Sequence, residues 1–260
     1  MADSFFIRFN LHNSVGHFPM SVDILAPLLN CEKAELQREL DAFETIQRER
    51  VKQLKQSCAK EIAKIFGKKV LFLGDSITSD NLGYRTTVTE TANLESYDES
   101  ISGGTSSMLL HSAKIQIEKR NPDIVSLMIG ANDSVRIGED SINQVSIQEY
   151  ARNVHEIIGW AKQGGVAVLL FEITPIHENR FAACFNKESK FQTNQTINRY
   201  NMILKELANS NGIKLISHDW IAEFDDYDSL FEPDGIHLSM KAQELFAKKW
   251  LTAAAEITCY

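Results

Sequence analysis

Ser76, Asp234 and His237 are the residues in this chain whose types and surroundings could do acyl-transfer chemistry. In KKVLFLGDSITSDNLGYR, residues 68–85, an apolar run (Val70, Leu71, Phe72, Leu73) stops abruptly at Gly74-Asp75-Ser76. A serine hydroxyl is a weak nucleophile on its own. It needs a base to take its proton, an acid to orient that base, and donors for the oxyanion that forms. Pro233-Asp234-Gly235-Ile236-His237 offers a base in His237, and in Asp234, three residues earlier across a turn containing Gly235, a carboxylate able to reach the other imidazole nitrogen. Two further stretches, Ser102-Gly103-Gly104-Thr105 and Gly130-Ala131-Asn132-Asp133, offer oxyanion donors. The candidates are the backbone N–H groups of Ser76 and Gly103 and the side-chain amide of Asn132. A Gly-Asp-Ser triplet alone turns up by chance in on the order of one chain this long in ten or twenty; the full set of partners gives it meaning.

Such groups act together only if the fold brings them together. From Lys68 onward, short apolar runs alternate with longer helical stretches. Strands are predicted at 70–73, 124–129, 166–171 and 213–216, with a weaker one at 94–101, and helices at 105–119, 146–163, 191–210 and 239–256. Gly164-Gly165 and Gly212 stand where helices should end before strands. Strands that are apolar throughout expect helices on both faces, so the pattern predicts an open, mostly parallel α/β sheet. Ligands bind such sheets at the carboxyl ends of the strands. Each candidate follows a predicted strand or precedes the last helix.

Residues 1–66 differ in texture and are read as an N-terminal extension to a domain spanning 67–260. Residues 30–66 predict one long helix capped by Asn30, with an apolar stripe of Leu36, Leu40, Phe43, Val51, Leu54, Cys58, Ile62 and Ile65 interrupted by one eight-residue gap. That stripe expects a partner, either its own domain or a second copy of the chain in a homo-oligomer. FFIRFNL, residues 5–11, alternates apolar and polar residues and reads as a strand.

GDSIT (74–78), SGGTS (102–106), GAND (130–133) and DGIH (234–237) occur in the order and context of the SGNH hydrolases, the GDSL family of esterases and lipases, which the chain resembles over about residues 68–256. The resemblance implies a flavodoxin-like three-layer α/β/α sandwich and a triad of Ser76, Asp234 and His237. It also implies an oxyanion hole from Ser76, Gly103 and Asn132; of the adjacent glycines, Gly103 is chosen because it follows Ser102 in the family's order. No G-x-S-x-G elbow surrounds Ser76, which disfavours the larger α/β-hydrolase family. The long helix is outside the usual core of the family, and the long 175–190 connection is expected to shape the substrate pocket.

Composition narrows the remaining choices. A net charge of −8 argues against a nucleic-acid or anionic-membrane partner. MADSFFIRFNLHNSVGHF lacks a basic start and a continuous apolar core, so no signal peptide is expected, and no apolar run has the length of a membrane span. Four cysteines (31, 58, 184, 259) without metal-type spacing suggest reduced thiols and a cytoplasmic protein. No metal or cofactor is expected: His177-Glu178 is too short for a metal signal, and no P-loop or G-x-G-x-x-G occurs. The expected substrate is a small-molecule ester with a short, acetyl-type acyl group on a carbohydrate or other small alcohol. An acyltransferase using the same acyl-enzyme, a lysophospholipase or thioesterase, and a non-enzymatic binding module are the alternatives.

Several polar residues have plainer expectations. Asp75 and Asp133 are expected to hold loops, and His111 and His155 to lie on helices as surface or packing residues. His177 and His218 follow strands near the active edge. Arg85 and Arg180 are either contacts for an anionic substrate group or ordinary surface arginines.

Overall fold

The computed structural model describes Arg8, residues 22–222 and residues 224–257. Five strands form one parallel sheet: β1 Lys69–Gly74, β2 Glu95–Asp98, β3 Ile124–Met128, β4 Ala167–Phe171 and β5 Lys214–Ile216, in the order β2-β1-β3-β4-β5. Leu71 pairs with Tyr97 on one side and Val125 on the other, and Leu170 with Leu127 and Leu215. The strand order reverses at β1, so a crevice is expected between the carboxyl ends of β1 and β3.

Alternation along each strand sends side chains to opposite faces. Val70, Phe72, Leu169 and Phe171 face one core, covered by α3 (Ala59–Ile65), α5 (Tyr84–Ala92) and α11 (Met240–Ile257). Leu71, Leu73, Val125, Leu127 and Leu170 face the other, covered by α6 (Ser106–Arg120), α7 (Ile147–Gln163) and α9 (Asn194–Asn211). This is the three-layer α/β/α sandwich. Ser146 and Thr193 cap α7 and α9 by accepting from the N–H groups of Glu149 and Thr196. Gly212 ends α9 in the left-handed region, where glycine has no Cβ penalty.

The N-terminal helix departs from its expectation at both ends. A short α1 (Val22–Leu28) precedes it, and Asn30 is a turn residue with φ of 49° rather than a cap. The long α2 runs Lys33–Ser57 and breaks at Cys58 before α3. The break needs no Gly or Pro: Cys58 N–H still donates to Leu54 and Cys58 C=O still accepts from Ile62, while Cys58 and Ile65 turn into the core. Leu36 and Ala26 close a separate small cluster between α1 and α2. The stripe's eight-residue gap is filled by buried polar groups. Arg50 donates to the carbonyls of Leu82 (2.6 Å) and Met240, and Gln47 accepts from Thr87 Oγ1 at 3.2 Å. So α2 packs on α5 of its own chain. The strand expected over 5–11 lies outside the described residues except at Arg8, whose backbone is helical. The 175–190 connection contains α8, Glu178–Cys184. Two short elements, α10 (Asp219–Ala222) and a 3₁₀ turn (Tyr227–Leu230), complete the path to α11. Among the described residues, no helix is long and apolar enough to cross a membrane.

Candidate active site

Ser76 opens α4, a four-residue helix spanning Ser76–Ser79 at the end of β1. Asp75 caps it by accepting from Ile77 N–H at 3.1 Å. The sharp turn depends on Gly74, where a Cβ would fall 2.2 Å from Thr78 Oγ1 and 2.8 Å from the Met128 carbonyl. Ser76 is 8% exposed, so its hydroxyl sits at the floor of the strand-end crevice rather than in open solvent.

His237 and Asp234 arrive on the loop before α11, closed by a bridge between Phe231 and Leu238. Glu232 N–H donates to the His237 carbonyl (2.8 Å) and Gly235 N–H to the Glu232 carbonyl (3.0 Å). Gly235 has φ of 74°, and a Cβ there would lie 2.6 Å from the Phe181 nitrogen and 2.7 Å from the His177 carbonyl. The backbone at Gly235 is thus pressed against the start of α8. His237 Nε2 lies 2.8 Å from Ser76 Oγ, and His237 Nδ1 lies 2.5 Å from Asp234 Oδ2. The other Asp234 oxygen accepts from the N–H groups of Ile236 and His237, each at 3.0 Å. Burial would push the Asp234 carboxyl up, but these hydrogen bonds and the neighbouring imidazole outweigh it and hold it below the usual carboxylate range.

The donor side is built from the loops after β2 and β3. Gly104 N–H is committed to the Ile101 carbonyl (2.8 Å), whereas the Gly103 N–H meets no acceptor among the described residues. Asn132 donates one Nδ2 hydrogen to the Gly104 carbonyl at 3.0 Å, leaving the other for a ligand. Asp133 is fully buried; it accepts from the N–H of Ser106 at 3.0 Å and from its hydroxyl, tying the two donor loops together. Asp75 accepts from the N–H of Ile77, which fixes the start of the Ser76 turn. Desolvation pushes Asp75 up to about 7 and Asp133 up to about 6.

The structure therefore brings Ser76, His237 and Asp234 into one hydrogen-bonded row, with Gly103 and Asn132 on the adjoining loops. The other histidines among the described residues lie apart from that row. His111 and His155 are exposed on helices, and His177 bonds Asp228 at 2.9 Å. His218 is buried between Phe171 and Phe246. Arg85 bonds the Thr78 carbonyl (3.0 Å) and Asp98, and Arg180 the Phe231 carbonyl (2.7 Å), so both hold loops. Sequence reasoning missed Arg8, Asp80 and Gln243, all buried, and the partly buried Glu232, which form a polar group at the far end of the short helix that Ser76 opens. Only chain tracing across distant segments could reveal it. Among the described residues, no group of three or more His, Cys, Asp or Glu side chains converges in a metal-binding arrangement.

A parallel three-layer sandwich with a hydroxyl, imidazole and carboxylate in a row at the strand ends is the architecture of an SGNH hydrolase. Comparison with known proteins agrees: residues 72–245 match the GDSL-like Lipase/Acylhydrolase family, and the chain belongs to it. The family is one of carboxylic ester hydrolases. The chain is 28% identical over 136 residues to the isoamyl acetate-hydrolyzing esterase 1 homolog of Homo sapiens, a match covering 50% of this chain and 54% of the relative, so it spans about half that protein's length. In fold it resembles the lipase/acylhydrolase from Enterococcus faecalis (17% identity, TM-score 0.61, 73% of this chain and 96% of that one). It also resembles a mutant of the acetyl-xylooligosaccharide esterase from Geobacillus Stearmophilus (20% identity, TM-score 0.59, 73% and 94%).

Proposed function

We propose that this protein hydrolyses short-acyl, acetyl-type esters of a carbohydrate or other small alcohol through an acyl-enzyme on Ser76. The observation that carries the reading is the continuous row from Ser76 Oγ through His237 to Asp234, with contacts of 2.8 and 2.5 Å. With its proton on Nδ1 and donated to Asp234, His237 presents a bare Nε2 to the serine hydroxyl. Ser76 Oγ attacks the ester carbonyl carbon as His237 Nε2 takes its proton. The carbonyl oxygen becomes an oxyanion, facing the N–H groups of Ser76 and Gly103 and the Asn132 amide. Collapse of this intermediate breaks the bond to the alkoxy oxygen, which leaves as the alcohol with the proton from His237. Water then attacks the acyl-enzyme by the same steps, and Ser76 recovers its proton. Asp234, kept ionised by its hydrogen bonds, holds the tautomer and balances the imidazolium.

Support for an acetyl-type acyl group comes from similarity to proteins named for hydrolysing isoamyl acetate and acetylated xylo-oligosaccharides. The test is a p-nitrophenyl ester series from acetyl to palmitoyl, with Ser76→Ala alongside. Turnover highest at acetyl and absent in the variant is expected. A maximum at long chains would overturn the acyl assignment, and full activity in Ser76→Ala would overturn the nucleophile.

A further inference from the structure

We propose that Arg8, from the N-terminal extension, is a positioning residue that fixes the distance between Ser76 and His237 by bridging Asp80 and Glu232. This rests on the reading of Ser76 and His237 given above.

The two groups that must exchange a proton come from loops 161 residues apart in sequence, and each ends in a carboxylate facing the same guanidinium. Asp80 caps the far end of the short helix that Ser76 opens, so the position of Asp80 sets that of α4 as a body. Glu232 starts the turn that carries Asp234, and its N–H closes the loop onto the His237 carbonyl. Arg8 grips Asp80 with two bonds, Nε to Oδ1 at 3.2 Å and Nη2 to Oδ2 at 2.7 Å. With Nη1 it reaches Glu232 at 2.5 Å, and Nη2 also donates to the Leu238 carbonyl at 3.4 Å.

Most of the bridge is buried and held by further hydrogen bonds. Arg8 is 7% exposed and Asp80 fully buried. Asp80 is fixed from behind by Leu82 N–H (2.9 Å) and by Gln243 (3.3 Å), whose own oxygen accepts from Tyr84 N–H. A planar guanidinium with donors in fixed directions can span two carboxylates in one geometry, which an ammonium on a flexible stem does not reproduce. Burial would lower the affinity of Arg8 for its proton, but the two carboxylates more than restore it, so the guanidinium stays protonated. Among the described contacts, the three bridging side chains bond neither the Ser76 hydroxyl nor the His237 ring, so the bridge acts on catalysis by placement.

The experiment compares Glu232→Ala and Arg8→Lys with wild type and Ser76→Ala in the full chain. Glu232→Ala removes only the arm to the histidine loop, at a partly exposed side chain whose loss leaves the buried Arg8–Asp80 pair intact. Three readouts are taken on protein shown to be folded by circular dichroism: kcat and KM on p-nitrophenyl acetate, the pH profile of kcat/KM, and the rate of phosphonylation by a p-nitrophenyl alkylphosphonate. Misplacement of reacting groups by about 1 Å can cost on the order of a hundredfold. The proposal therefore expects kcat and the phosphonylation rate to fall together by about tenfold to a hundredfold in Glu232→Ala, with KM within about twofold. Arg8→Lys should behave alike. Should Arg8→Lys fail to fold, Glu232→Ala decides. A folded Glu232→Ala enzyme with wild-type kcat and labelling rate overturns the bridge, even if it melts earlier, while leaving the function standing. A Ser76→Ala protein that turns over and is labelled like wild type removes the function itself, and the bridge with it.

Discussion

Asp234 and His237 are bonded to each other twice: the imidazole Nδ1 lies 2.5 Å from one carboxylate oxygen, and the backbone N–H of His237 donates to the other oxygen at 3.0 Å. The imidazole is thereby fixed in both tautomer and orientation by one residue of its own loop. Replacing Ser76 or His237 by alanine should lower kcat on p-nitrophenyl acetate by on the order of 10⁴ to 10⁶. Asp234→Asn keeps the shape but can present its amide to Nδ1, favouring the wrong tautomer, and should cost about 10⁴. Steady-state kinetics on folded variants decides; an Asp234→Asn enzyme within tenfold of wild type would remove that carboxylate from the mechanism.

Asn132→Ala tests the donor side. Removing one oxyanion donor typically costs about 10² to 10³ in kcat. Because Asn132 also donates to Gly104, the loop carrying Gly103 is loosened at the same time, which pushes the effect toward the upper end. KM for p-nitrophenyl acetate should change little, since the amide acts on charge that develops only in the transition state. A fall in affinity with unchanged kcat would assign Asn132 to ground-state binding instead.

Gly235→Ala should harm stability and rate together. The position has φ of 74°, and the added methyl would meet backbone atoms of Phe181 and His177 at 2.6 and 2.7 Å. Strain of this kind costs about 1–3 kcal/mol. Relief requires the Asp234–His237 loop to move away from α8, so kcat should fall even where the variant remains folded. Chemical denaturation and kinetics on the same preparation measure both; an unchanged kcat would show that α8 does not set the loop's position.

His218 makes a prediction about acid. It is stacked on Phe246 at 4.5 Å with neither ring nitrogen hydrogen-bonded, and burial drives its pKa down to about 3. Its backbone N–H meets Glu172, and Asp219 is the other charge acting on it; both favour protonation but are outweighed by desolvation. Below its unfolded pKa of about 6.5 the unfolded chain takes up a proton that the native ring refuses. Its contribution to stability is therefore present above that pH and lost as pH falls toward 3, at about 1.4 kcal/mol per pH unit. Asp75 and Asp133, raised to about 7 and about 6, act oppositely: they favour the native state at low pH and lose that advantage as pH rises through the same interval. The difference between wild type and His218→Phe isolates the histidine. Urea unfolding at pH 7, 6, 5 and 4 should show wild type losing ground to the variant at each acid step; parallel curves would refute the buried neutral ring.

Short-range chemistry is what the sequence by itself determined. The runs Val70–Leu73 and Val168–Phe171 are apolar without alternation because both faces of the sheet are covered, and that alone predicts a doubly wound parallel sheet. Gly74-Asp75-Ser76 and Asp234–His237 were legible because a turn and an i to i+3 hydrogen bond need only neighbours in the chain. Interactions between remote segments were not. Nothing local says that Asn30 would end a turn rather than cap a helix, or that α2 would break at Cys58, since packing on the core sets both. Polar Gln47 and Arg50 interrupted the apolar stripe and read as a gap, yet they are buried against α5, Leu82 just before it and the first residue of α11. A buried charge is stable only with partners that satisfy it, and a sequence does not show which distant carboxylate or carbonyl will be there. Arg8, Asp80 and Glu232 therefore acquired their meaning only in the tertiary structure, where desolvation makes three surface-type residues a fixed unit behind the strand ends.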